Sequence, residues 1–176
     1  MLFNVAQLLK DPIGSSREFD LDEAADLLDD VPARAQYVGH LKMIHINDGV
    51  LAESEVRTTA EVVCSRCLRP VEVPLRVAFT EEYRPTIDLA TGLPLPVREG
   101  EEYFRIDEYH TLNLTEAVRQ YALLNLPQFA LCREDCAGLC PSCGQDLNQG
   151  RCACARGPGD ARLAVLAQLL GDSERS

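Results

Sequence analysis

Apolar residues in this chain recur at two different spacings, and the spacing changes near residue 35. Val5, Leu8 and Leu9 sit at helical spacing before Pro12 and Gly14 close the turn. A longer helix is predicted over Asp20–Asp30. Leu21, Ala24, Ala25 and Leu28 form its apolar stripe, its wet face is acidic, and Pro32 stops it. Beyond residue 35 the period falls to two. Val38–Ile46 and Val50–Glu55 read as strands around the turn signal Asn47-Asp48-Gly49. Val56, Thr58, Ala60 and Val62 then alternate with polar positions, as do Val71, Val73, Leu75, Val77 and Phe79, which predicts half-buried antiparallel strands. Pro74 points to an edge or a bulge.

Residues 84–102 carry the prolines, glycines and acids of a loop, and Tyr103–Tyr109 reads as a further strand. Helical spacing returns in LNLTEAVRQYALLNLP. Asn113 or Thr115 is placed to cap it, and Leu114, Val118, Tyr121, Ala122 and Leu124 give its buried stripe. Ala161–Leu170 predicts a short terminal helix. The expected class is α+β: an antiparallel sheet or partial barrel with flanking helices and a C-terminal cysteine-rich metal module. The expected division is a core over 1–126 and a cysteine-rich segment with the terminal helix over 127–176.

The cysteines add the candidate chemistry. Cys64 and Cys67 occupy CSRCLRP, the connection between the two clearest strands. The other six, Cys132, Cys136, Cys140, Cys143, Cys152 and Cys154, fall within 23 residues. Thiolates at such spacings suit a tetrahedral ion, with zinc expected ahead of iron. CPSCG has the form of a zinc knuckle, in which the glycine lets the chain turn beneath the metal. One zinc takes four thiolates, so six local cysteines exceed one site, and the sequence leaves the pairing open. Cys64 and Cys67 are either further ligands or a redox dithiol. Their strand flanks disfavour the dithiol, because a redox C-x-x-C normally opens a helix that lowers its thiol pKa. Arg66 and Arg69 beside them are candidate partner contacts.

Composition narrows the function. The net charge is −11, with no basic stretch, which argues against autonomous binding to nucleic-acid phosphates and for a basic partner. No apolar run approaches the roughly 18 residues of a membrane span, and the first residues lack the form of a secretory signal. Clustered cysteines in an unexported chain imply metal and a reducing cytoplasm. The three histidines lack metal spacing, and no phosphate loop, nucleophile elbow or H-E-x-x-H occurs, so no enzyme is expected.

Taken in order, VAQLLKDPIGSSREF, CSRCLRPVEVPLRVAFTEEY, LNLTEAVRQYALLNLP and CREDCAGLCPSCGQDLN resemble the YceD family across nearly the whole chain. Cys64, Arg66, Cys67 and Leu68 fall on its first motif. Cys132, Cys136, Gly138, Leu139, Cys140, Pro141, Cys143, Gly144, Leu147 and Asn148 fall on its second. The resemblance implies a non-enzymatic role in accumulation of large-subunit ribosomal RNA, through ribosomal RNA or a ribosomal assembly protein. Members that carry one motif without the other imply two separable features, and so a metal site contained within the C-terminal six cysteines. Two rival readings remain: a thiol redox protein using Cys64 and Cys67, and an acidic zinc-stabilised adaptor with no ribosomal role.

Overall fold

The computed structural model describes residues 1–24, 31–33, 35–96 and 103–154. Seven strands form one sheet: β1 (Leu2–Asn4), β2 (Ser16–Glu23), β3 (Tyr37–Ile46), β4 (Gly49–Val63), β5 (Pro70–Pro85), β6 (Phe104–Ile106) and β7 (Thr111–Asn113). Their order across the sheet is β1-β7-β6-β5-β4-β3-β2. All neighbours pair antiparallel except β5 and β6, which run parallel over three residues. A single α-helix, α1 (Thr115–Asn125), and a one-turn 3-10 helix (Leu8–Lys10) are the helical elements among the described residues.

The expected α+β architecture with flanking helices is therefore corrected to a predominantly β fold. The clearest misreading is at Asp20–Asp30, where residues 16–23 form β2, paired with β3 from Ser16↔Ile44 to Glu23↔Tyr37. The sequence F-D-L-D alternates as well as it spirals. Leu21 is buried and Phe19 half-buried, while Glu18, Asp20 and Asp22 face out. The open edge of β3 decides between the periods, because a ladder satisfies backbone groups that a lone acidic helix would leave to water. Residues 25–30 and the expected helix at 161–170 lie outside the described residues.

The remaining strands follow the alternation. Asn47 and Asp48 make a two-residue hairpin closed by Ile46↔Gly49. The β4–β5 ladder is the longest, from Val50↔Tyr83 to Val63↔Pro70. Pro74 lies where the far edge of β5 has no strand neighbour among the described residues, since β6 meets β5 only at Tyr83–Pro85, so its missing N–H leaves no ladder bond unmade there. Short β6 and β7 replace the single strand expected over Tyr103–Tyr109. Helix α1 packs on β5, with the Tyr121 ring stacked on Phe79 at 5.0 Å. Asn113 Oδ1 accepts from the Thr115 backbone N–H at 3.0 Å. Leu114, Ala117, Val118 and Ala122 are the buried residues of this segment. Leu124, expected on that face, is 78% exposed.

The core gathers Leu21, Tyr37, Leu41, Met43, Val50, Val56, Val77, Tyr83, Ile106, Leu112 and Val118 beneath the sheet and helix. A second, separate buried cluster consists of Cys64, Cys67 and Cys136, with Val71, Cys132 and Leu139 against it. The long β4–β5 hairpin thus reaches away from the main core and ends in a nucleus built around sulfur.

Candidate metal centre

The tip of the β4–β5 hairpin is Cys64-Ser65-Arg66-Cys67-Leu68-Arg69. The Cys64 N–H donates to Arg69 O at 2.8 Å, and the Leu68 N–H donates to Cys64 O at 2.9 Å. Closing so tight a loop requires a left-handed residue, and Leu68 supplies it at φ 59°. The same construction recurs at Cys140-Pro141-Ser142-Cys143-Gly144-Gln145. There the Cys140 N–H donates to Gln145 O at 2.8 Å, the Gly144 N–H to Cys140 O at 2.8 Å, and Gly144 has φ 74°. The two C-x-x-C segments are one structural motif used twice. The CPSCG copy carries the glycine that signals it, whereas the CSRCL copy hides behind a leucine.

Each knuckle faces a second pair of cysteines. Cys64 Sγ lies 3.9 Å from Cys136 Sγ, and Cys67 Sγ lies 3.7 Å from Cys132 Sγ. All four sulfurs of this inner tetrad are within 4.8 Å of one another, as are those of an outer tetrad, Cys140, Cys143, Cys152 and Cys154. The eight thiols divide into four and four. In this grouping Cys132 and Cys136 lie with the hairpin pair, and the four cysteines that follow lie together.

The inner geometry fits a tetrathiolate ion. Four bonds of about 2.3 Å in a tetrahedron place sulfurs about 3.8 Å apart, the separation found for both close pairs. Cys64 and Cys67 are 0% and 4% exposed and Cys136 3%, so water is largely excluded. In the outer tetrad Cys140 is buried and Cys143 is exposed.

Electrostatics within the sets point the same way. Backbone N–H groups of Cys67, Arg66 and Cys132 bring the Cys64 thiol down to about 6. The N–H groups of Cys143 and Ser142 do the same for Cys140, also to about 6. The Cys67 thiol is lowered by the Arg69 backbone and guanidinium. Burial, then the neighbouring sulfurs, push Cys132 up to about 12. Cys143 and Cys140 hold Cys154 at about 12. In each tetrad the backbone N–H groups favour the charged form of one sulfur, while burial and neighbouring sulfurs oppose it at another.

Side chains around the inner tetrad fasten the module to the hairpin. Arg66 Nη1 donates to Glu134 O at 3.1 Å and to Cys136 O at 3.0 Å. Arg69 meets Asp146 at 3.5 Å. The backbone joins them too: Ser65 N–H donates to Ala130 O at 2.8 Å and Leu139 N–H to Arg66 O at 3.1 Å. Gly138, at φ 74°, allows the last contact, since a Cβ there would stand 3.0 Å from Arg66 O. Asn148 was legible only as a motif residue, yet it has a definite task. Its Nδ2 donates to Cys136 Sγ at 3.5 Å and to Asp146 Oδ1 at 2.7 Å, while its Oδ1 accepts from Ala137 N–H at 2.9 Å and from Arg133 Nη2 at 2.8 Å. The donor-to-sulfur contact fixes the orientation of the Cys136 side chain.

The histidines stand apart from both tetrads. His45 Nδ1 bonds Asp11 O at 2.7 Å, and His40 lies 3.6 Å from Asp20 on the outer face of β2 and β3. Among the described residues no helix is long and apolar enough to cross a membrane.

Comparison with known proteins agrees with this assembly of motifs. Uncharacterized proteins of Mycobacterium bovis and Mycobacterium tuberculosis are 34% identical to the chain over 137 residues, which is 74% of this chain and 60% of theirs. The chain thus spans less than two thirds of the length of these relatives. No solved structure matches it. The family described as large ribosomal RNA subunit accumulation protein YceD matches residues 52–170, a span that holds both knuckles, both tetrads and α1. Since that match covers more than half of the sequence, the chain belongs to the YceD family.

Proposed function

We propose that the protein is a non-enzymatic, cytoplasmic ribosome-biogenesis factor that supports accumulation of large-subunit ribosomal RNA and carries structural zinc in its inner tetrad. Family membership carries the ribosomal part of this reading. The sulfur spacing at Cys64, Cys67, Cys132 and Cys136 carries the metal part. Zinc suits a closed all-thiolate set, and such a site leaves no open position for substrate. Its contribution is to fold, on the order of 10–16 kcal/mol in small zinc peptides.

The partner is a basic ribosomal or assembly protein, with RNA reached through it. A chain of net charge −11 repels a phosphate backbone. Arg66 and Arg69, the candidate contacts, already spend hydrogen bonds on the cysteine module. The surface beside the clasp also offers apolar area. Val63 and Phe129, adjacent through the Cys64↔Ala130 bridge, are 62% and 81% exposed, and Leu68 is 63% exposed. The redox alternative finds less support, because Cys64 and Cys67 are buried and face other sulfurs instead of solvent.

The test is depletion followed by measurement of large- against small-subunit ribosomal RNA, with rescue by the wild-type chain. An unchanged ratio would leave only a zinc-stabilised adaptor. Ultraviolet crosslinking decides the route: specific RNA bound covalently to this chain and retained through high-salt washing would replace the protein-mediated version with direct contact.

A further inference from the structure

We propose that Cys140, Cys143, Cys152 and Cys154 form a second zinc site that fills and empties independently of the first, so that the chain holds two ions of unlike exchange rate. The proposal rests on the reading of the inner tetrad as a zinc site and extends it to the remaining four thiols.

The outer tetrad matches the inner one in the features that make a metal site. Its C-x-x-C has the same two backbone hydrogen bonds and the same left-handed residue after the second cysteine. Its four sulfurs are gathered within 4.8 Å, and no cysteine is common to both sets. Each ion therefore has a complete shell of its own, and neither needs a bridging thiolate.

The two sites differ in what must move for an ion to leave. Inner ligands come from two parts of the chain 65 to 72 residues apart, held by the Arg66 and Arg69 contacts and buried against Val71 and Leu139. Releasing that ion means parting the module from the hairpin. Outer ligands all lie between residues 140 and 154, and Cys143 is exposed. Opening there is local and gives a chelator or a second thiol direct access to sulfur. Exchange by associative attack is accordingly faster at the outer site, by about tenfold or more if the difference in local opening exceeds about 1.4 kcal/mol.

Native mass spectrometry of the reduced full chain, followed by zinc release into excess 4-(2-pyridylazo)resorcinol, tests this. Two equivalents and two release phases are expected. The C140S/C143S variant should hold one equivalent and lose the fast phase while keeping the slow one. One equivalent in the wild type that survives C140S/C143S would overturn the second site and leave the first intact. Release of two equivalents in a single phase would overturn their independence, and so would loss of both equivalents on C140S/C143S substitution. No zinc in the wild type would overturn the metal reading as a whole, while the ribosomal reading would still stand or fall on RNA levels.

Discussion

The sulfur of Cys64 lies 3.9 Å from that of Cys136, across 72 residues of sequence. That contact joins the tip of the longest hairpin to a segment with almost no regular structure of its own, and Cys67 with Cys132 repeats it at 3.7 Å. The main core includes none of these residues. Sheet and module thus have separate interiors: a large apolar core for the first, and for the second a small cluster of cysteines with a few hydrogen bonds to the hairpin.

Removing the inner ligands should therefore loosen one end without unfolding the whole. In the C64S/C67S variant, backbone amides over 130–148 should lose hydrogen-exchange protection. Amides in β3, β4 up to about Val56, and α1 should keep theirs. Chelation of the wild type should give the same pattern. Uniform loss of protection across the sheet would show that the module supports the core after all.

Gly138 should tolerate no side chain. Its φ of 74° would cost an alanine roughly 1–2 kcal/mol, and the added Cβ would press on Arg66 O at 3.0 Å. Both effects act on the clasp. Gly138→Ala should weaken zinc retention at the inner tetrad by about 5–30-fold, measured by chelator competition, with little change in the far-ultraviolet signal of the sheet.

Much of this was legible in the sequence, and the failures have physical causes. The strands of the β3–β4–β5 meander followed from alternation and Asn47-Asp48-Gly49, although β4 runs unbroken through the Val50–Glu55 and Val56–Val62 stretches that the sequence presents separately. The knuckle at Cys140 was visible in its glycine. The one at Cys64 was not, since Leu68 takes the left-handed position against propensity. The grouping of Cys132 and Cys136 with the hairpin depends on a long-range closure that local spacing does not encode. Asp20–Glu23 was misread because an acidic stretch with apolar residues fits both periods, and only the neighbouring strand chooses. Leu124 fits the helical stripe on paper, but α1 turns Ala117 towards the core and leaves Leu124 outside.

Asn148 should matter to the metal more than to the fold. Its amide touches Cys136 Sγ while its carbonyl holds the Ala137 N–H. Asn148→Ala should lower inner-site zinc affinity about 10–100-fold, the usual effect of losing a residue that orients a ligand. Asn148→Asp should be worse, because it sets a carboxylate against both the thiolate and Asp146. Equal affinities for all three chains, in competition with a chelator of known strength, would contradict this role.

Tyr83 presents the opposite case, a polar atom with nothing to do. Its ring stacks on Phe104 at 5.1 Å in the core, and its hydroxyl is buried with no hydrogen-bond partner among the described residues. Burial, with the Glu81 charge, pushes the phenol pKa upward. Tyr83→Phe keeps the stack and removes the desolvated hydroxyl, so it should be neutral or stabilising by up to about 1 kcal/mol. A loss of more than about 1 kcal/mol in denaturant midpoint analysis would mean that the hydroxyl has a function in the native state.

The first turn of α1 should contribute an acid-sensitive increment. Arg119 holds the Glu116 carboxylate at 2.5 and 2.8 Å and Gln120 adds a bond at 2.8 Å, which lowers its pKa from 4.5 to about 2. A carboxylate with a depressed folded pKa stabilises the fold fully above its unfolded value. That stability fades as pH falls from about 4.5 towards 2. Glu116 is 45% exposed, so solvent screening keeps the contribution near 0.5 kcal/mol, and at most about 1. Glu116→Gln should therefore destabilise by that amount at pH 7, and the two chains should converge in stability near pH 2. A difference that persists undiminished at pH 2 would place the effect in helix propensity or packing instead of in the charge.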